Sequence, residues 1–312
     1  MTPAERDDLF KQSMSTPDDA ERERLRKQIA AEDTESPIGL FCLAWLLSCG
    51  NAPNPERALK LYSEVLALEP NFWHAHFERG NLNFDLGNFK EAISDYESVG
   101  RLGFMVPNVL FNLALANQRA GRVREALSLF NETLALEPTH AEAHYAIAGM
   151  HIAAHAYEQA LPELDRAIEI QPANAGFHLT RGLARANLRD YKGALDDLDM
   201  TLSLDPSEHA AYVYRGNVHL ITGDTDSAVA DFAQNATLSP KDWTAFEFVA
   251  VLLAQEGAMA QARWCAEKAV AINPGNDRMK AMLKEKPIRD AEPAEPDWKA
   301  LIARRKKQDA GH

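Results

Sequence analysis

The sequence has little cysteine, little positive charge and no long apolar run. Its three cysteines, Cys42, Cys49 and Cys265, form no CxxC pair and no even set. That argues against a disulfide framework and makes a reducing, cytoplasmic setting the expectation. The most apolar stretch, residues 38–49, is 12 residues long, whereas a helix needs about 20 to span hydrocarbon, so no membrane span is expected. The opening residues, MTPAERDDLFKQ, lack the basic-then-apolar pattern of a secretion signal. Lys and Arg number 33 against 46 Asp and Glu, for a net charge of −13. An acidic chain has no general means of displacing counterions from phosphates, so a nucleic-acid partner is not expected.

What is abundant is regularity. Pro138, Pro172, Pro206, Pro240 and Pro274 stand 34 residues apart, and Pro70 lies two periods before Pro138, with Phe104 at the missing midpoint. Alanine keeps the same beat at Ala58, Ala92, Ala126, Ala160, Ala194, Ala228 and Ala262. Such a period is the mark of a repeat architecture. Each unit reads as two helices: in the third, Leu110, Leu113 and Ala114 recur at helical spacing before Gly121, and Ala126, Leu127, Phe130 and Leu134 do so before Pro138. Gly87, Gly121, Gly223 and Gly257 fall between the two helices, where a left-handed residue ends the first. The fixed alanine marks a close helix crossing. Small residues (Gly80, Ala114, Ala148, Gly182, Gly216, Ala250) face large ones (Tyr62, Tyr96, Phe130, Leu164, Leu198, Phe232).

This small-large-proline arrangement resembles the tetratricopeptide repeat family over residues 39–276. Seven repeats are read, at 39–72, 73–106, 107–140, 141–174, 175–208, 209–242 and 243–276. The resemblance implies an all-α solenoid of antiparallel helix pairs in a right-handed superhelix, with first helices lining a concave groove. Leu46 replaces a small residue in the first repeat and the second lacks its proline, so those two are expected to pack less regularly.

Residues 1–38 form an N-terminal helical arm. Thr16-Pro17-Asp18-Asp19 reads as a helix start with Thr16 as the capping hydroxyl. The leading helix of the first repeat is apolar nearly all round, so the arm is expected to fold over Leu40, Leu43 and Leu47 as a cap. The rival is that this apolar end is a dimer or partner surface. Residues 277–312 hold a short closing helix (277–286), a proline-punctuated segment and an amphipathic helix over 297–308 that ends in Arg304-Arg305-Lys306-Lys307. This tail carries a net charge of +3 against −12 for residues 39–276. It either docks on the acidic repeats or frays.

In the family, positions 2, 5, 6 and 9 of each first helix face the groove. Across seven repeats these 28 residues include no Lys or Arg and three acids, Glu78, Glu142 and Glu247. The resemblance makes Phe77, Asn81, Asn108, Phe111, Asn112, Tyr145, Tyr214 and Asn217 the candidate peptide-binding residues. Asparagine can grip a peptide amide with donor and acceptor together, and aromatics give large apolar contact at small entropy cost. A peptide segment of another protein, apolar and with room for basic residues, is the implied partner. The carboxylate clamp of the family's co-chaperones is not expected: its asparagines match Asn81 and Asn112, but its cationic sites hold Phe77, Glu142 and Ala146.

No chemistry is expected. The motifs GxxxxGK[ST], GxSxG and HExxH do not occur, and nothing outside the repeats is long enough for a catalytic domain. His151 and His155 have the spacing of a metal pair, but His144 and His151 occupy packing slots, as do His76, His178 and His219, and His155 sits at the turn. Acidic runs such as Asp196-Asp197-Leu198-Asp199 read as solvated helix surface. The expectation is thus a non-enzymatic scaffold or adaptor, without cofactor or metal, monomeric or weakly dimeric. The alternatives are a structural homo-oligomer joined through apolar terminal repeats, or a regulatory or substrate-presenting subunit of an enzyme complex.

Overall fold

The computed structural model describes residues 1–49 and 53–304, and every regular element among them is a helix. Contacts divide the chain into two compact units, residues 1–143 and 144–312. The first holds α1 (Pro3–Ser15), α2 (Asp19–Glu32), α3 (Pro37–Cys49), α4 (Pro55–Leu68), α5 (Trp73–Asp85), α6 (Phe89–Arg101), α7 (Pro107–Arg119) and α8 (Val123–Leu136). α9 (Ala141–Ala153) opens at its end. The second holds α10 (Tyr157–Ile170), α11 (Ala175–Asn187), α12 (Tyr191–Leu204), α13 (His209–Thr222), α14 (Thr225–Leu238), α15 (Trp243–Gln255) and α16 (Met259–Ile272). Three short helices close it: α17 (Asp277–Met282), α18 (Lys286–Arg289) and α19 (Trp298–Ile302).

The helix pairs pack for the reasons the period suggests. All seven beat alanines, Ala58 to Ala262, are 0% exposed. A Cβ on Gly80 would lie 2.9 Å from the Tyr96 ring, and one on Gly216 would lie 3.0 Å from Phe232, so the large residue fills the space that the small one leaves. Between the helices of a pair the backbone turns left-handed at Gly87, Gly121, Gly223 and Gly257, and also at His155 (φ 56°) and Arg189 (φ 64°). His155 therefore occupies a turn, its Nδ1 3.0 Å from the Tyr157 hydroxyl. In the second repeat, where proline is missing, Gly103 (φ 89°) turns the chain instead and Phe104 stacks on Trp73 at 4.8 Å.

A polar register runs through the same packing. Arg79 donates to Asp95, Arg181 to Asp197 and Arg215 to Asp231, each at 2.6–2.7 Å across one helix pair. The His144 ring nitrogen meets Glu163 at 2.6 Å in the equivalent place. Arg181 and Arg215 also reach back to Asp165 (2.8 Å) and Asp199 (2.6 Å) on the preceding pair. Asp197 is 2% exposed and Asp231 is 1% exposed. The expectation that residues 196–199 form a solvated surface is thus corrected at Asp197, which is an internal ion-pair anchor.

The N-terminal arm is a further helix pair, α1 and α2, packed on α3. Phe10 meets Phe41 (5.7 Å) and Phe72 (5.9 Å), and Leu25 and Ile29 are buried. Phe41, Cys42 and Ala44 are the deeply covered α3 residues, while Leu40, Leu43 and Leu47 are half-buried beside the same cluster. Two details differ from the sequence reading. The cap of α2 is Asp18, which accepts from the Ala20 and Glu21 amides. Thr16 closes α1 and accepts from the Asp18 amide at 3.2 Å.

The corner between α2 and α3 is held by Asp33, which accepts from the Ser36 amide (3.0 Å), the Ser36 hydroxyl (2.6 Å) and Arg6 (3.2 Å). Burial pushes this carboxyl up, but Ser36, Arg6 and the Glu35 amide outweigh it and hold it at about 2. A depressed carboxyl lends stability that is complete above its ordinary value of 3.8 and lost as pH falls towards 2. In hydrogen exchange, α3 amides are expected to lose protection across that window. Asp33→Ala should be less protected at neutral pH and change less on acidification; an identical acid response in both proteins would refute the assignment.

At the other end, Met279 and Ile288 are buried against the α15–α16 pair. Arg263 donates to the carbonyls of Arg289 and Ala291 (2.7 Å for the latter), and the Ala294 amide donates to Ala260 (3.0 Å). The tail is docked as far as it is described: Leu301 is buried, Trp298 sits edge-on to Phe246 (6.0 Å) and Trp264 (5.9 Å), and Arg304 pairs with Glu256 at 2.6 Å. The helix expected over 297–308 is described over Trp298–Ile302; Arg305, Lys306 and Lys307 lie outside the described residues.

Candidate peptide-binding surface

In the first unit the candidate residues come from α5 and α7. Asn81 and Asn112 are brought together: the Asn112 amide donates to Asn81 Oδ1 at 3.1 Å. The same oxygen accepts from the Tyr96 hydroxyl at 2.8 Å, and the Asn81 amide donates to Glu78 at 3.3 Å. Asn108, one turn earlier on α7, is exposed. Phe77 and Phe111 are half-buried, each leaning on the aromatic of its own second helix, Tyr96 at 6.1 Å and Phe130 at 5.6 Å. Phe111 also lies 4.7 Å from the His140 ring.

Tyr96 is the residue that periodicity undervalues. Its ring fills a packing slot and is 1% exposed, yet its hydroxyl emerges beside Asn81. A buried tyrosine usually places its O–H on an acceptor, so its choice over phenylalanine was the available signal. Burial pushes its hydroxyl up, and the charges of Asp85, Glu78 and Asp95 push it further the same way. Glu78 is pushed up by burial against the pull of Arg26 and the Asn81 amide. Asn81, Phe84, Asp85, Tyr96, Asn112 and Leu115 line an open cavity of 380 Å³.

In the second unit the candidates are more dispersed. Tyr145 stacks near Phe177 (4.8 Å) with its hydroxyl 3.2 Å from the Thr180 hydroxyl. Tyr214 is half-buried against the cluster of Ala194, Leu198, Ala211 and Val218, and Asn217 is half-exposed one turn further along α13. Glu247 is already held by Asn276 (2.8 Å) and Arg278 (2.7 Å). Among the described residues, no group of three or more His, Cys, Asp or Glu is placed to hold a metal ion. No helix among them is long and apolar enough to cross a membrane.

Two family models, both described as tetratricopeptide repeat, match the chain, one over residues 118–182 and the other over 51–101 and 179–242. No curated protein matches in sequence. Among solved structures, the C-terminal part of a TPR repeat-containing protein from Cytophaga hutchinsonii superimposes with a TM-score of 0.65 at 16% identity, covering 78% of this chain and 100% of that one. A tetratricopeptide repeat protein from Parabacteroides merdae gives 0.57 at 18% identity, with 82% and 98% covered. The APC/C hetero-tetramer Cut9-Hcn1 gives 0.61 at 16% identity, with 80% and 48% covered. At these identities the likeness is one of fold.

Proposed function

The chain belongs to the tetratricopeptide repeat family, and from that premise we propose that it is a non-enzymatic scaffold holding a peptide segment of another protein against its first helices. The family's repeats generally serve protein–protein interaction, and Cut9-Hcn1 is itself a hetero-tetramer. The observation that carries the reading is the joined Asn81–Tyr96–Asn112 cluster in an open cavity, flanked by half-exposed Phe77 and Phe111. Polar groups fixed beside apolar rings suit a peptide backbone with apolar side chains. A chaperone-type carboxylate ligand is disfavoured by the lack of Lys or Arg in this lining. Cover of α3 by α1 and α2, and of α16 by α17 and α18, favours the scaffold over an oligomer stacked through bare ends.

Asn81 is a poor site for a clean test, because its removal would strand the Tyr96 hydroxyl. Asn108→Ala/Asn112→Ala is better, since Asn108 is exposed and Asn112 donates one bond that Asn81 can lose. A partner captured by the wild type is expected to bind the double variant at least about ten-fold more weakly, with an unchanged circular dichroism spectrum. Unchanged affinity would place recognition elsewhere on the chain.

A further inference from the structure

We propose that the cavity between α5, α6 and α7 is a receptor for an arginine side chain of the bound peptide, a reading that rests on the scaffold function and specifies its partner. Hydrogen-bond polarity is the first argument. Glu78 accepts from the Asn81 amide, which leaves Asn81 Oδ1 to accept from both the Tyr96 hydroxyl and the Asn112 amide. The tyrosine O–H and one N–H of each side-chain amide are thereby turned inward. The acceptors that remain for a ligand are the Asn112 side-chain oxygen and the Asp85 carboxylate. Asp85, the charged group of this lining, favours a cationic donor there over an anion.

Charge is the second argument. No Lys or Arg lines the cavity, and the nearest arginine of α5, Arg79, is committed to Asp95 through two bonds of 2.7 and 2.9 Å. Asp85 is exposed and its carboxylate makes no hydrogen bond or ion pair with any described residue. It is also the last residue of α5, where the helix dipole favours a cation and disfavours a carboxylate. A carboxylate with no partner among the described residues is free to pair with an external cation.

Shape is the third. Phe84 and Leu115 are half-exposed walls, suited to the three-carbon stem of arginine, and the planar guanidinium can lie along the Phe84 ring while its N–H groups face Asp85 and Asn112. The volume of 380 Å³ accommodates one long side chain.

The test uses the full chain and small probes. N-acetyl-arginine amide, its uncharged isostere N-acetyl-citrulline amide and N-acetyl-lysine amide are titrated while the side-chain amide resonances of Asn81 and Asn112 are followed by NMR. The arginine probe is expected to shift both resonances and to bind at least five-fold more tightly than citrulline. Asp85→Asn, a change at an exposed helix end that spares the packing, should abolish that preference. Equal binding of arginine and citrulline, or an unaltered preference in Asp85→Asn, would overturn the proposal. Lysine binding as tightly as arginine would overturn the choice of guanidinium. These results are independent of whether a captured partner responds to Asn108→Ala/Asn112→Ala, so loss of the arginine receptor and loss of the scaffold reading are told apart.

Discussion

Deleting residues 1–36 is expected to destabilise the first unit by about 3–6 kcal/mol and to make the protein self-associate. Phe10, Leu25 and Ile29 are each no more than 8% exposed in the cover they provide, and burying a side chain of that size is worth about 1.5–3 kcal/mol. What is uncovered matters as much: Phe41, at 0% exposure, and Trp45 would face water on an α3 that also loses its Asp33 and Ser36 cap. The arm is not uniformly stabilising. Arg26 is 2% exposed, with Nε and Nη1 lacking hydrogen-bond partners and its guanidinium 4.2 Å from the Trp45 ring. A cation–π contact returns about 2 kcal/mol at best, less than the several kcal/mol that desolvating the charge costs. Removing Arg26 therefore offsets part of the loss, but the apolar terms are larger. Urea denaturation with a light-scattering record checks this; a truncated chain that keeps the wild-type midpoint and stays monomeric would mean that the arm is no cap.

The repeat was legible because close packing leaves few solutions. An alanine at every crossing and a small residue against a large one are steric requirements, and they recur wherever the crossing recurs. The turns were legible only in part. His155 and Arg189 adopt the left-handed conformation that glycine takes elsewhere, so the 34-residue position fixes the backbone more firmly than the residue type does. The ion-pair register was hidden although it keeps the same beat at Asp95, Glu163, Asp197 and Asp231. Leu129 and Cys265 interrupt it; Asp95, Asp197 and Asp231 each find an arginine 16 residues away on the other helix, and Glu163 meets His144 there. A polarity pattern along one helix assigns an acid to water; only the facing helix shows that it is inside. The candidate surface behaves likewise. Family positions located Asn81 and Asn112, but Tyr96 and Asp85, which give the cavity its polarity, come from positions that pattern reading leaves to packing and to solvent.

That hidden register carries the second large effect. Asp197→Ala is expected to destabilise the second unit by about 3 kcal/mol, at the lower end of what breaking a buried ion pair costs. Asp197 accepts from Arg181 at Nε (3.0 Å) and Nη2 (2.6 Å) and from Arg185 (2.8 Å), with His178 at 3.5 Å. Its loss leaves three nitrogen-bearing side chains facing an empty site. The effect is held to the lower end because Arg181 keeps Asp165 at 2.8 Å and Arg185, 25% exposed, can turn to water. Asp165→Ala is the contrasting variant: its side chain is 49% exposed, and a bridge of that kind is worth about 0–1 kcal/mol. Because each repeat is stabilised mainly by its neighbours, the weakened pair should also open before the rest. Hydrogen exchange is expected to show α11 and α12 amides losing protection in Asp197→Ala while α15 and α16 keep theirs. Equal and small losses in the two variants would show that the buried carboxylate is not the anchor. A uniform loss across the unit would show instead that the pairs unfold as one block.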